Sequence, residues 1–241
     1  MDWFKQRKAV REYVVKIKTP SGYGSGFLVA YNKSGGLMAI ATAAHVLADA
    51  EEWHLPLKLI PEASGEEAFL NYEQRVIYMD RSRDSAYIVV PSNTVALPKT
   101  TLPLVPKDQF ILPGAELGWL GYPSLAPNEL CFFQGYASAF VGRGEDYYLI
   151  DGVAVNGVSG GPVFEPEKEP NLVGLVSAYY SNREVLPGLL KAYDLTHAHA
   201  AIEGFKNFDD AREKAQVQNE ADAIPAKGPS QGTASGAASG A

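Results

Sequence analysis

The chain carries a single cysteine, Cys131, among its 241 residues. No internal disulfide can form, so the stapled architecture of small secreted domains is excluded. Cys131 lies in an apolar run and reads as a small packed hydrophobe. No apolar stretch reaches the roughly 18–20 residues that a membrane span needs. No apolar leader with a small-residue cleavage site precedes the first strand-like segment. These absences predict a cytoplasmic protein that neither spans nor enters a membrane. Positive charge is also short: 21 Lys and Arg against 28 Asp and Glu give a net charge of −7. That balance argues against nucleic acid or an anionic membrane as the main partner. There are only four histidines. His197 and His199, two positions apart, do not share a helix face, so no metal site is expected. They and His54 read as surface residues. No cofactor is implied.

Helical periodicity is also missing before residue 195. What is there instead is a succession of short apolar and alternating runs, so the expected class is all-β. Residues 1–8 read as a polar lead. Strands are expected over 9–18, 27–31, 37–42, 53–60, 74–79 and 87–90, with one helical turn starting near His45. Residues 95–113 hold Pro98, Pro103, Pro106 and Pro113. Proline cannot donate to a sheet ladder, so this segment reads as a crossover. A second set of strands follows over 116–120, 130–134, 136–141, 147–151 and 172–179. Residues 196–206 are Ala-rich, with Ile202 and Phe205 available to pack, and predict a short helix. Residues 209–241 turn charged and then Gly/Ser/Ala-rich, so disorder is expected there. The domain reading is a first unit over 9–100, a crossover over 101–113, a second unit over 114–195, a helix over 196–206 and the tail. The tail leaves room for a further domain or partner.

The most informative stretch is Gly157-Val158-Ser159-Gly160-Gly161-Pro162. Three glycines and a proline in six positions demand a tight, irregular turn. A serine held there is exposed to attack a carbonyl, with backbone N–H groups close enough to receive its oxygen. A Gly-rich hairpin turn would use the same residues. Upstream lie a candidate base and a candidate carboxylate. His45 ends Thr42-Ala43-Ala44-His45, and Asp84 opens Asp84-Ser85-Ala86 before an apolar run. His45 alone could cap a helix. Asp80 competes with Asp84 but is better placed to start the preceding turn. The order His, Asp, Ser differs from the orders of the subtilisin and α/β-hydrolase arrangements.

These blocks, with Gly24-Ser25-Gly26-Phe27-Leu28-Val29, Gly121-Tyr122-Pro123 and Leu175-Val176-Ser177-Ala178, resemble the trypsin-like (chymotrypsin-fold) serine proteases. The style is that of bacterial disulfide-free members such as the high-temperature-requirement proteases. The resemblance spans about residues 9–206. It implies two antiparallel six-stranded β-barrels, with the active site in the cleft between them and a short C-terminal helix. It implies Ser159 as nucleophile, His45 as general base and Asp84 as its orienting carboxylate. The N–H groups of Gly157 and Ser159 would form the oxyanion hole. Val153 and Ala154 would floor the specificity pocket. Ser177, Ala178 and Tyr179 would line a polypeptide substrate held as an added strand. Val158 stands where many relatives carry an aspartate that pairs with a cleaved N-terminus, so activation of that kind is not expected. An uncharged floor, with Tyr179 where many relatives carry glycine, implies small or medium aliphatic residues before the scissile bond. The leading activity is a serine endopeptidase. A silent or conditionally activated peptide-binding module and another acyl hydrolase on the same fold are the alternatives.

Overall fold

A computed structural model describes residues 2–142, 146–153, 155–167, 169–177 and 189–207. The chain opens on helix α1 (Trp3–Arg11). Seven strands follow: β1 (Val14–Thr19), β2 (Gly22–Tyr31), β3 (Leu37–Ala43), β4 (Leu57–Pro61), β5 (Ala68–Leu70), β6 (Val76–Asp80) and β7 (Ser85–Pro91). Helix α2 (Ala44–Glu52) continues directly from β3. Six more strands form the second lobe: β8 (Glu116–Gly121), β9 (Cys131–Val141), β10 (Tyr147–Asp151), β11 (Pro162–Glu165), β12 (Asn171–Ser177) and β13 (Leu189–Asp194). Helix α3 (Ala198–Lys206) closes the described chain.

The second lobe is a closed barrel in the order β10-β13-β12-β11-β8-β9. The first lobe is an open antiparallel sheet of seven strands, β5-β4-β1-β2-β3-β7-β6. The two-lobed β fold expected from sequence is therefore present. The first barrel is a half-barrel, because short β5 pairs with β4 and the sheet stays open between β5 and β6.

Strands β3 and β7 are buried on both faces, which explains the apolar runs over residues 37–41 and 86–90 within them. Met38, Ile40, Ala86 and Ile88 face the core of the first lobe. Ala39, Ala41 and Ala43 face the other way, into a core shared with Leu120, Phe164 and Leu175 of the second lobe. Small alanines on that face let the two lobes approach closely. Each fully buried large aliphatic or aromatic side chain contributes about 1.5–3 kcal/mol relative to exposure. Helix α3 adds Ala198 and Ile202, one turn apart, to the shared core.

Two helices differ from expectation. Residues 3–11 are helical and not a polar lead; the Asp2 carboxylate caps the helix by accepting the N–H groups of Phe4 (3.0 Å) and Lys5 (3.3 Å). Helix α2 runs well beyond a single turn, burying Ala44, Leu47 and Ala50 at three-residue spacing. The tail expected to be disordered lies outside the described residues.

Candidate active site

The register of two neighbouring strands builds the first half of the site. Ala43, the last residue of β3, pairs with Ser85, the first residue of β7. His45 begins just after β3 and Asp84 just before β7, so the ladder sets them side by side. The Asp84 carbonyl accepts the Ala44 N–H at 3.0 Å. Its carboxylate accepts the His45 backbone N–H at 2.9 Å. Nδ1 of His45 lies 2.8 Å from one carboxylate oxygen and 3.1 Å from the other. A carboxylate only accepts, so Nδ1 carries the proton and Nε2 is left as the basic nitrogen. Asp84 holds a left-handed backbone conformation, φ 43°, which aspartate tolerates better than most residues.

The second lobe completes the carboxylate's surroundings. The Ser177 hydroxyl, at the end of β12, donates to Asp84 at 2.5 Å. Burial pushes the Asp84 carboxyl up, but it is outweighed. The His45 ring bond and charge, the Ser177 hydroxyl and the His45 N–H hold the group below its ordinary value of 3.8. The competing carboxylate, Asp80, accepts from the Ser82 hydroxyl and N–H and from Arg83. It organises the preceding turn, as its position in the sequence suggested.

Ser159 sits in the loop between β10 and β11 and is 4% exposed. The β11–β12 ladder runs on into this loop: Gly160 N–H donates to the Val176 carbonyl at 2.7 Å, and Val176 N–H to Gly161 at 2.9 Å. Gly160 has φ 83°, and a side chain on it would strike the Ser25 carbonyl and the Thr42 hydroxyl. The Ser159 loop is thus seated against the end of β3, three residues before His45. Residues Val155–Val158 form a turn closed by a 3.2 Å bond from Val158 N–H to the Val155 carbonyl, with Gly157 at φ 90°. A positive φ at the third position is what a type II turn requires. The Asn156 carbonyl accepts the Ser124 N–H at 2.7 Å. In a trans peptide the N–H points opposite the carbonyl, so the Gly157 N–H is turned away from Ser124. Among the described residues, neither the Gly157 nor the Ser159 N–H has an acceptor.

Val158 is fully buried among apolar residues of the second lobe, against Gly121. A charged residue would not fit there unpaired. Val153 is 55% exposed. Ala154, Ala178 and Tyr179 lie outside the described residues. Sequence reasoning used Ser177 only for its backbone; its hydroxyl bond to Asp84 was not visible without the cross-lobe geometry. His199, read as a surface residue, is half-buried and meets the Val105 carbonyl at 2.8 Å. A cavity of about 590 Å³ lies elsewhere, between α3 and β6, lined by Tyr78, Tyr87 and Phe205. It includes none of His45, Asp84 and Ser159. Among the described residues no group of His, Cys, Asp and Glu could hold a metal ion, and no helix is long and apolar enough to cross a membrane.

The family model of the trypsin-like peptidase domain matches residues 24–175. The chain belongs to the trypsin-like peptidase family. The match begins just before Ser25 and takes in His45, Asp84 and Ser159. No curated protein sequence matches the chain. Solved structures share the trypsin-like fold at low identity. An inactive form of Rv3671c from M. tuberculosis is 18% identical, with a TM-score of 0.60 over 83% of this chain and 89% of that one. The HtrA-type protease AlgW, solved with a tripeptide, is 17% identical, with a TM-score of 0.64 over 87% of this chain and 65% of its own. A serine endoprotease from Yersinia pestis is 19% identical, with a TM-score of 0.63 over 86% of this chain and 67% of that one.

Proposed function

We propose that the chain is a serine endopeptidase that cleaves polypeptides through an acyl-enzyme on Ser159. The observation that carries this reading is the His45–Asp84 pair, bonded at 2.8 Å and seated against the loop that bears Ser159. A serine hydroxyl is a weak nucleophile until a neutral imidazole takes its proton. His45 Nε2 is the acceptor for that proton and later returns it to the leaving amine. Asp84 fixes the tautomer and stabilises the imidazolium. The N–H groups of Gly157 and Ser159 receive the oxyanion of the tetrahedral intermediate. The edge beginning at Ser177 takes the substrate as an extended strand, and Val153 with Ala154 and Tyr179 favours small or medium aliphatic residues before the cut.

The test is a proteome-derived peptide library read by mass spectrometry, with Ser159→Ala as control. Cleavage after small or medium aliphatic residues, absent in the variant, is the expected result. Equal cleavage by both proteins would remove Ser159 from the reaction. Peptides bound without cleavage would favour a binding module.

A further inference from the structure

The oxyanion loop of this chain has no charged anchor, since Val158 occupies the position between Gly157 and Ser159. Its carbonyls nevertheless have partners, and two of them converge on one residue of the other lobe. The Ser25 N–H donates to the Ser159 carbonyl at 2.8 Å. The Ser25 hydroxyl donates to the Gly157 carbonyl at 2.9 Å. The Ser25 hydroxyl oxygen in turn accepts the Tyr122 N–H at 3.0 Å. The Ser25 carbonyl accepts the Thr42 hydroxyl at 2.7 Å, close to His45 in sequence. Ser25 is fully buried; its N–H and its hydroxyl are engaged across the seam between the lobes, and its carbonyl is engaged within the first lobe.

The carbonyl that Ser25 holds belongs to the peptide that follows Gly157. The peptide that precedes Gly157 is held through the Asn156 carbonyl by Ser124 N–H. With both flanking peptides tied, Gly157 is kept at φ 90° and its N–H keeps one direction. The Tyr23 ring abuts Gly157 from the side, and Lys16 lies 4.8 Å over that ring and 5.4 Å over Tyr122. Lys16 also donates to the Pro127 carbonyl of the loop after β8.

We propose that Ser25 is a positioning residue for acyl transfer: its hydroxyl, reaching from the first lobe, holds the Gly157 carbonyl so that the N–H groups of Gly157 and Ser159 stay aimed at the developing oxyanion. The inference rests on the peptidase reading above. A loop that wanders loses alignment in the transition state more than it loses ground-state binding, so the effect falls on kcat.

The experiment compares wild type, Ser25→Ala and Ser25→Thr in steady-state kinetics on a cleaved peptide, and in the backbone ¹⁵N–¹H spectrum of Gly157. Ser25→Ala should lower kcat by about tenfold to a hundredfold, short of or equal to the loss from deleting one oxyanion donor. KM should stay within about twofold, since uniform binding is untouched. Ser25→Thr keeps the hydroxyl and should recover most of kcat, and the Gly157 amide signal should move in the first variant and return in the second. A kcat unchanged in Ser25→Ala, or a Gly157 signal that does not move, overturns the proposal and leaves Ser25 a packing residue. If Ser25→Ala does not fold, Ser25→Cys keeps the volume and weakens the hydrogen bond, and the same two readouts decide. If the wild type cleaves nothing and takes no fluorophosphonate, the peptidase reading fails, while the Gly157 signal still decides whether Ser25 holds the loop.

Discussion

Asp84 is the residue on which the site's electrostatics turn. It takes the His45 ring, the His45 N–H and the Ser177 hydroxyl at once, and these keep it ionised despite burial. Its folded value lies below 3.8, so the stability it contributes is present above that ordinary value and is lost as pH falls through the lower folded value. Asp84→Asn should lower kcat by roughly four orders of magnitude, because the amide allows the wrong imidazole tautomer. The melting-temperature gap between wild type and Asp84→Asn should stay open at neutral pH and narrow in acid below the ordinary carboxylate value. A gap that widens in acid would mean the carboxylate is not held ionised by these partners. At this scale the candidates His45, Asp84 and Ser159 could be named from the sequence, because each sits in a short block whose residue types suit the chemistry. Ser25 was not legible as a clamp, because a serine between glycines reads equally well as a turn residue.

Among the elements, α1 is the least expected from sequence. It has nine residues, no apolar stripe and four basic side chains, so periodicity could not reveal it. Its stability comes from packing. Trp3 lies 5.5 Å from Phe132 and 6.0 Å from Phe164, and the Gln6 amide donates to the Glu167 carbonyl at 2.6 Å. The helix thereby packs the start of the chain against the core shared by the two lobes. Trp3→Ala should destabilise the fold by about 2–3 kcal/mol, toward the low end for aromatic truncation because Trp3 is only half-buried. Chemical denaturation measures it. A change under about 0.5 kcal/mol would place α1 among dispensable surface elements. The strands were easier to foresee. The run over residues 37–41 is apolar throughout, and a strand buried on both faces suits so short a run without glycine or proline.

At the scale of the molecule, a closed six-stranded barrel and an open seven-stranded sheet share one core, and the proposed chemistry lies along their seam. Sequence order and motif spacing were enough to expect two β lobes. They did not reveal that the first sheet stays open, because closure depends on whether β5 reaches β6, and no local residue pattern encodes that distance. Nor could they reveal the cross-lobe bonds Ser177 to Asp84 and Ser25 to Gly157, each joining residues more than 90 positions apart. Those bonds make the site a property of how the lobes dock. Intact-mass analysis after exposure to a fluorophosphonate probe tests the central claim most directly, with wild type and Ser159→Ala side by side. One adduct on the wild type and none on the variant is the predicted result. An adduct on both, or on neither while both are folded, would contradict Ser159 as an activated nucleophile.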